Sequence, residues 1–287
     1  MRFGFLLKRG KPEAQELAGA LSKVLLSRGA TLVALPEDAA AIEGATVVTP
    51  EALAASIDVL VVLGGDGTFL YGAALAADRG VPIFGVNLGS LGFITPYSRA
   101  EAAAAIDEAC RGGLVIEERI RLAVSVRTTD GSPPQPTRSA VNDAVVTRSA
   151  ARLLDLEARL DGAEITTYKA DGLIVATPTG STAYSLAAGG PLLTPDVQAM
   201  VLTPISPHTL TNRPLVFRPD ARLSIRNASD GPAILTVDGQ WTQEVPAEGW
   251  IDVRRADRPL RLYQAPRGFF GILRERLSWG YRRVQGT

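Results

Sequence analysis

The stretch Val59-Leu60-Val61-Val62-Leu63-Gly64-Gly65-Asp66-Gly67-Thr68 decides the fold class of the N-terminal part of this chain. A short apolar run followed by glycines predicts a buried strand that ends in a sharp turn. Glycines bring backbone N–H groups close to a ligand, which suits phosphate. Asp66 is then a carboxylate in a loop suited to anions, which indicates a task such as accepting a proton or meeting a metal ion. The alternative interpretation is an ordinary strand-to-helix turn with a capping residue.

On both sides of this stretch, up to residue 113, short apolar runs alternate with helical patterns. This alternation predicts parallel strands joined by helices. The predicted strands are residues 3–7, 31–35, 59–63 and 82–86, and the predicted helices are residues 12–28, 50–56, 68–77 and 99–111. In an open α/β sheet, ligands bind outside the carboxyl ends of the strands. We therefore expect the loop after Leu63 and a second glycine-containing loop, residues 87–93, to line one cleft.

After residue 113 the pattern changes to short alternating segments with β-branched residues, which predict a β-rich second domain over residues 114–265. Its predicted strands are residues 121–126, 140–147, 153–160, 173–176, 223–225, 234–237, 251–254 and 260–263. The tail, residues 266–287, has helical spacing with apolar anchors. We expect it to pack back on the first domain, so that the chain crosses between the domains more than once.

The composition limits the classes of function. Hydrophobic residues make up 46% and charged residues 21% of the 287 residues, which allows a large core. The 30 basic residues balance 30 acidic ones, so we expect neither nucleic acid nor a membrane surface as a partner. The single cysteine, Cys110, excludes an internal disulfide. The first apolar run is too short for a signal peptide and no stretch reaches membrane-spanning length, so we expect a cytoplasmic protein.

Residues 169–191 are the richest candidate site. A buried strand runs into a hydroxyl-rich turn and a short helix, where free N–H groups, hydroxyls and the Tyr184 ring could hold a planar base and its ribose. A capped helix with Tyr184 in the core is the alternative. The chain has no Gly-x-x-x-x-Gly-Lys-Ser/Thr phosphate loop, no Gly-x-Gly-x-x-Gly fingerprint and no Gly-x-Ser-x-Gly nucleophile elbow, which disfavours the common NTPase, dehydrogenase and esterase classes.

Taken together and in order, residues 64–68, 87–93, 142–143, 171–191, 202–214 and 238–240 closely resemble the bacterial NAD kinase family. The first motif is shared with diacylglycerol, sphingosine and phosphofructokinase relatives, whereas residues 177–191 single out NAD kinase. The resemblance implies an α/β domain with a Rossmann-like parallel sheet and an all-β C-terminal sandwich domain, with NAD between them and subunits assembled as homodimers or homotetramers. It implies that ATP phosphorylates the 2′-hydroxyl of the adenosine ribose of NAD, with Mg²⁺ or Mn²⁺ as the divalent metal.

The same resemblance implies roles for individual residues. Asp66 is similar to the catalytic residue that accepts the hydroxyl proton, and no protein ligand of the metal is assigned. The residues implied for the donor phosphates are Gly64, Gly65, Gly67 and Thr68. The residues implied for NAD are Asp66, Gly67, Asn142, Asp143, Arg152, Lys169, Asp171, Thr182, Ala183, Tyr184, Ser185, Leu186, Ala187, Ser206 and Gln240.

Some positions depart from the family pattern. Asp143 and Lys169 replace the more usual Glu and Arg, and Phe69 and Tyr71 replace the common Leu and Arg or Gly. The sequence therefore leaves open the phosphoryl donor (ATP or polyphosphate), the acceptance of NADH, feedback by NADP(H) and the number of subunits. Two other functions also stay open: a lipid or sugar kinase of the same superfamily, which would need an apolar acceptor pocket, and a non-catalytic dinucleotide sensor.

Overall fold

A computed structural model describes residues 1–89, 92–128, 136–149, 152–264 and 267–277. The chain forms two compact units, one of Met1–Glu118 with Arg261–Thr287 and the other of Arg119–Leu260. Residues 90 and 91 of the second glycine loop, and residues 265–266 and 278–287 in and beside the predicted tail, lie outside the described residues. Within the described part of the chain, no helix is long and apolar enough to cross a membrane.

The first unit is built on a parallel sheet, and its elements are numbered in chain order through both units. Its strands are β1 (Arg2–Leu7), β2 (Thr31–Ala34), β3 (Thr46–Val47), β4 (Val59–Gly64), β5 (Ile83–Asn87), β6 (Tyr97–Ser98), β7 (Ile116–Arg119) and β20 (Leu260–Tyr263). Its helices are α1 (Pro12–Ser27), α2 (Pro50–Ser56), α3 (Asp66–Ala76), α4 (Ala102–Cys110) and α6 (Gly268–Leu277). The parallel sheet and the connecting helices confirm the α/β class predicted for this part of the chain.

The strand order of this sheet is β3-β2-β1-β4-β5-β20-β7, with β6 paired to β5. From β1 the chain moves outward through β2 and β3, and from β4 it moves outward in the opposite direction to β5. The loops that leave β1 and β4 therefore diverge at a topological switch point, which is where open α/β sheets bind ligands. All residues of β4 are buried, which agrees with the continuous apolar run that predicted it.

Helix α1 covers one face of this sheet because its apolar residues recur on one side of the helix. Ala14, Leu17, Leu21 and Leu25 are buried at intervals of three or four residues. They belong to one core cluster with Phe3 and Phe5 of β1 and with β4 residues. The packed sheet and helix hold the ends of β1 and β4 in fixed positions.

The second unit is a sandwich of two antiparallel sheets. Its strands are β8 (Leu122–Arg127), β9 (Arg138–Ala140), β10 (Asp143–Arg148), β11 (Leu154–Leu160), β12 (Ala163–Ala170), β13 (Gly172–Ala176), β14 (Met200–Ile205), β15 (Leu215–Phe217), β16 (Leu223–Asn227), β17 (Ala233–Val237), β18 (Trp241–Val245) and β19 (Trp250–Arg255), with one short helix, α5 (Tyr184–Ala187). The sheet orders are β15-β14-β13-β10-β17-β18 and β12-β11-β16-β19-β8-β9. Alternate residues of both sheets form one core, which confirms the sandwich class.

Two strands lie in a different unit from the one that the sequence pattern predicted. Residues 260–263, predicted within the second domain, form β20, where Leu262 pairs with Ile83 of β5 in the first unit. Residues 116–119 form β7 in the same sheet. The units therefore divide at 118/119 and 260/261 rather than at 113/114 and 265/266. Alternation predicts a strand but not the sheet that it joins, because both sheets bury the same kinds of side chain.

The described part of the tail lies on the first unit. Ile272 and Leu273 of α6 are buried, and the rings of Phe269 and Phe93 lie 6.0 Å apart between centroids. Helix α6 thus contacts the last residue of the second glycine loop.

Candidate active site

The loop between β4 and α3 lies at the switch point of the first unit. A Cβ on Gly64 would lie 2.4 Å from Thr68 Oγ1, so this turn accepts only glycine, whereas a Cβ on Gly65 or Gly67 would meet nothing within 4 Å. Gly65 is the residue before α3, and its backbone is extended. The start of α3 therefore has open space beside two small residues, Gly65 and Gly67, an arrangement that suits a phosphate group.

Asp66 is the first residue of α3, and its carboxylate is held by neighbouring donors. Thr95 Oγ1 donates to Asp66 Oδ1 at 2.8 Å, and the backbone N–H of Phe93 donates to Oδ2 at 3.3 Å. Asn87 Nδ2 in turn donates to Thr95 Oγ1 at 2.8 Å. Asp66 is only half-buried. The structure thus presents an oriented carboxylate that still faces solvent.

Gly92 is required by this arrangement. A Cβ at residue 92 would lie 1.9 Å from Asp66 Oδ1 and 2.5 Å from Thr95 Oγ1, which is far inside van der Waals contact. The carboxylate occupies the space that a side chain would need. The position of the Asp66 carboxylate therefore depends on having glycine at residue 92.

The variant Gly92→Ala is expected to fold and to lose about tenfold to 10²-fold in turnover, because the added methyl group displaces the Asp66 carboxylate from its position. Steady-state rates and the thermal midpoint should be measured together. Gly19→Ala is a matched control, since a Cβ there would meet its nearest neighbour at an ordinary 3.7 Å. Unchanged turnover in Gly92→Ala would show that the position of Asp66 does not limit the reaction.

Basic side chains line the cavity beside this loop. The cavity measures about 350 Å³ and is lined by Gly64, Gly65, Asp66, the 87–89 segment, Gly92, Lys8, Lys11, Glu13 and Arg276. Lys8 and Lys11 follow β1, and Arg276 belongs to α6. Three cations outnumber the carboxylates of Glu13 and Asp66 in this lining, and together with the start of α3 they form an environment for a polyanion. We call it the phosphate cavity.

A second cavity, in the sandwich unit, brings together residues from three of the predicted motifs. It measures about 350 Å³ and is lined by Asn142, Asp143, Val145, Thr147, Ala183, Tyr184, Thr236, Asp238 and Gly239. Tyr184 is 45% exposed. It is therefore not a core residue, and the alternative interpretation of a capped helix with a buried Tyr184 is wrong. An exposed ring on a cavity wall can contact a planar base. We call this the Tyr184 cavity.

The turn that contains Asp238 organises one wall of this cavity. Asp238 and Gly239 have φ values of 50° and 66°, and Gln240 N–H donates to the carbonyl of Val237 at 3.0 Å. The Asp238 carboxylate accepts the backbone N–H groups of Val141, Asn142 and Asp143 at 2.7, 2.7 and 3.1 Å. Asp238 therefore fixes the backbone that carries Asn142 and Asp143.

Asp143 is a buried carboxyl group, only 6% exposed, next to Asp238. Burial, with a further contribution from the Asp238 charge, raises the pKa of Asp143 to about 7. Burial also raises the pKa of Asp238, although the three N–H groups oppose that shift. This wall of the Tyr184 cavity is thus acidic and poorly solvated, and a hydrogen-bond donor on a ligand would stabilise the ionised form of Asp143.

Most hydroxyl groups of the turn after β13 form hydrogen bonds within the protein. Thr177 Oγ1 donates to the carbonyl of Val141 at 2.6 Å, Thr182 Oγ1 donates to the carbonyl of Thr179 at 2.9 Å, and Ser185 Oγ lies 2.9 Å from Thr203 Oγ1. Ser185 is fully buried. Of the predicted stretch 182–187, Ala183 and Tyr184 line the cavity, while Leu186 is half-buried and Ala187 is exposed.

The remaining predicted NAD residues lie elsewhere in the sandwich unit. Arg152 and Lys169 line another cavity, of about 580 Å³, with Arg148 and Asp155. Asp171 forms an ion pair with Arg148 at 3.0 Å. Ser206 has a positive φ of 44° at an exposed position, and Gln240 is exposed beside the Asp238 turn. The structure thus groups Asn142, Asp143, Ala183 and Tyr184 and separates them from Arg152 and Lys169.

Comparisons with known proteins agree along almost the whole chain. Residues 3–114 match the family model of the ATP-NAD kinase N-terminal domain, and residues 141–265 match that of the ATP-NAD kinase C-terminal domain. The chain is 42% identical over 274 residues to the NAD kinase of Geotalea daltonii, covering 94% of this chain and 96% of that protein. It is 45% identical over 243 residues to the NAD kinase of Geobacter metallireducens, covering 83% and 85% of the two chains.

Similar solved structures include one from yeast and one from an archaeon. Yeast NADH kinase complexed with NADH has a TM-score of 0.93 at 26% identity, covering 100% of this chain and 90% of that chain. An NAD kinase from Archaeoglobus fulgidus in complex with ATP has a TM-score of 0.76 at 25% identity, covering 96% and 99% of the two chains. Since both family models and the curated relatives cover most of its length, the chain belongs to the NAD kinase family.

Proposed function

We propose that this protein transfers the γ-phosphoryl group of ATP to the 2′-hydroxyl of the adenosine ribose of NAD, giving NADP and ADP. The observation that carries the proposal is Asp66, an oriented carboxylate beside a cavity lined by cations and by the start of α3. Relatives that are named NAD kinase and share 42% and 45% of their aligned residues with the chain support it. A structural neighbour in complex with ATP supports the choice of donor.

In this reaction the 2′-oxygen attacks the γ-phosphorus, the bond from that phosphorus to the bridging oxygen of ADP breaks, and the hydroxyl proton goes to Asp66. A ribose hydroxyl is a poor nucleophile at neutral pH, so a positioned base assists its attack. Thr95 Oγ1 and the Phe93 N–H hold the carboxylate at a fixed orientation. The cations Lys8, Lys11 and Arg276 line the cavity where the charge of the phosphates would be neutralised.

A divalent metal fits the oxygen donors of this site. Within the described residues, no group of three or more His, Cys, Asp or Glu side chains could hold a metal without other ligands. One or two protein oxygens suit Mg²⁺ or Mn²⁺, because Mg²⁺ keeps waters and phosphate oxygens as its other ligands. Asp66 would supply a protein oxygen, whereas Asn87 Oδ1 already accepts the Gly89 N–H at 2.8 Å. When bound, the metal neutralises charge on the phosphates.

The direct test is product formation. Purified protein is incubated with NAD, MgCl₂ and either ATP or inorganic polyphosphate, and NADP is quantified by chromatography with mass detection. Phosphorus NMR distinguishes the 2′-phosphate from other isomers. NADP formed from ATP is the expected result. A sensor would bind NAD and form no product with any donor, and a lipid or sugar kinase would phosphorylate those acceptors instead.

We assign Tyr184 to the adenine end of NAD. Tyr184→Ala is expected to weaken NAD binding about tenfold, because base stacking on an aromatic ring is worth roughly 1–3 kcal/mol in nucleic-acid sites. Calorimetric titration with NAD measures the affinity directly. Tyr184→Phe keeps the ring and should retain most of the affinity. Equal affinities of the Ala and Phe variants for NAD would contradict the assignment of Tyr184 to the NAD-binding site.

We also propose that Asn142, Asp143 and the neighbouring turn contact NAD, and that the protein acts in the cytoplasm as a homodimer or homotetramer. The grouping of Asn142, Asp143 and Tyr184 at one cavity supports the first part. A single cysteine fits a reducing compartment. Light scattering coupled to size-exclusion chromatography gives the number of subunits, and a monomer would contradict the assembly.

A further inference from the structure

The first unit contains a groove that begins at Gly67 and Thr68, two residues implied for the donor phosphates, and extends to residues that have no assigned role. We infer that this groove binds the nucleoside of the phosphoryl donor, with Tyr71 and Asp38 as the residues that distinguish a nucleoside triphosphate from an inorganic polyphosphate. The groove measures about 430 Å³ and is lined by residues that include Leu7, Lys8, Asp38, Gly67, Thr68 and Tyr71. The inference rests on the proposed function and adds the recognition of the donor to it.

The groove adjoins the phosphate cavity. Lys8 lines both, and Gly67 and Thr68 of the groove directly follow Asp66 of the phosphate cavity. Both spaces lie at the ends of β1 and β4, where the strand order reverses. A triphosphate beside Asp66 can therefore extend past Lys8 into the groove without leaving the first unit.

Tyr71 supplies an aromatic wall to this groove. It lies on α3, one helical turn after Thr68, and 39% of the residue is exposed. A ring with an exposed face offers stacking to any planar base. Inorganic polyphosphate has no group that could use this surface.

Asp38 supplies a polar group from the loop after β2. Its Oδ2 accepts the backbone N–H of Leu7 at 3.0 Å, and the residue is only 7% exposed. Burial raises the pKa of Asp38 to about 6, and the neighbouring Glu37 charge adds to that shift. An ionised carboxylate at a poorly solvated position gains from further hydrogen-bond donors. The hydroxyl and amino groups of a nucleoside are such donors.

A neighbouring ion pair shapes the same end of the groove. Arg9 Nη2 and Glu37 Oε1 lie 2.8 Å apart, and both residues line the groove. With Glu37 paired to Arg9, Asp38 is the carboxylate left to meet an uncharged donor group. The groove thus combines one stacking surface, one acceptor and a cation on the side of the phosphates, which is the chemistry of a nucleotide.

The experiment compares donors that share phosphates but not a nucleoside. The Tyr71→Ala variant is assayed at saturating NAD for the KM of ATP and for the inhibition constant of inorganic tripolyphosphate, measured against ATP. We expect the KM of ATP to rise about tenfold, since one stacking contact is lost. The inhibition constant of tripolyphosphate and the KM of NAD should stay within twofold of wild type. Tyr71→Phe keeps the ring and should keep the KM of ATP.

The experiment distinguishes failure of this inference from failure of the proposed function. If wild-type protein forms NADP but Tyr71→Ala leaves the KM of ATP unchanged, or raises the tripolyphosphate constant equally, the groove does not bind the nucleoside. If wild-type protein forms no NADP with any donor, the proposed function itself fails. A thermal melt checks folding, and Tyr71→Leu, which keeps apolar volume without a ring, should repeat the effect of Tyr71→Ala.

Discussion

Replacing Asp66 with asparagine is expected to lower turnover by about 10²–10⁴-fold or more, the usual contribution of a general base, while the affinity for NAD stays near wild type. Asparagine keeps the size of the side chain and an oxygen that accepts the hydrogen bond from Thr95. The variant loses the capacity to take a proton, and its NH₂ group replaces the oxygen that accepts the long Phe93 N–H bond at 3.3 Å, so a thermal melt checks that the loop keeps its shape. Single-turnover rates of NADP formation and calorimetric NAD binding measure the two effects separately.

The matched control for this experiment is Thr95→Val. It removes the hydroxyl that donates to Asp66 at 2.8 Å but leaves the carboxylate in place. We expect a smaller loss of turnover than in Asp66→Asn, because the Phe93 N–H still orients the carboxylate. Near-normal turnover of Asp66→Asn would refute the catalytic assignment, and a loss confined to NAD affinity would make Asp66 a binding residue only.

The second large expected effect is a change in the stability of the folded protein when Asp143 is replaced. Asp143→Asn is expected to raise the free energy of unfolding at pH 8, without NAD, by roughly 2–4 kcal/mol, because one pKa unit corresponds to about 1.4 kcal/mol. The pKa of Asp143 is raised from 3.8 to about 7 in the folded protein. The folded state therefore holds the proton more tightly than the unfolded state. Asparagine resembles the protonated side chain and carries no charge at any pH.

The pH dependence gives the sign of this effect. The stabilising contribution of the Asp143 proton is fully present below pH 3.8 and is lost as the pH rises to about 7. The advantage of Asp143→Asn should thus be absent in acid, grow across this range and level off above pH 7. Urea unfolding at several pH values measures it. A variant that is no more stable than wild type at pH 8 would show that Asp143 is better solvated than its burial indicates.

Asp238→Asn is the control with the opposite expectation. Both Asp238 oxygens accept backbone N–H groups, whereas an asparagine side chain has one oxygen and places an NH₂ group against a donor. An N–H group left without an acceptor costs about 1–3 kcal/mol. Neighbouring carboxylates should therefore respond in opposite directions to the same substitution. We propose that the chain keeps this destabilising carboxylate because Asp143 contacts NAD. Functional sites are often less stable than they could be.

The glycine motif illustrates what the sequence could predict. A continuous apolar run before Gly64 is sufficient to indicate a buried strand, and the loop chemistry indicates an anion site with Asp66 inside it. The partner of Asp66 could not be predicted, because Thr95 lies 29 residues later in the chain and is one of many threonines. The cations of the phosphate cavity were also missed. Lys8 follows β1, and only the strand order puts β1 beside β4.

The hydroxyl-rich turn illustrates the opposite case. Its residue types suit both a capped turn and a binding surface. The sequence does not show which hydroxyl groups form hydrogen bonds within the turn and which are available to a ligand. The structure uses Thr177, Thr182 and Ser185 for internal hydrogen bonds and leaves Tyr184 exposed. A residue type predicts what a side chain can bind. Its neighbours in the fold decide whether that capacity is already used.

The return of the chain to the first unit has a consequence for biosynthesis. During translation β5 emerges long before β20, its neighbour in the sheet, because all of the second unit lies between them. The growing chain therefore carries an unfinished parallel sheet with an open hydrophobic edge, which is prone to pair with other chains. Arg276 of the phosphate cavity is made later still. The phosphate cavity is thus complete only after the whole second unit has been translated.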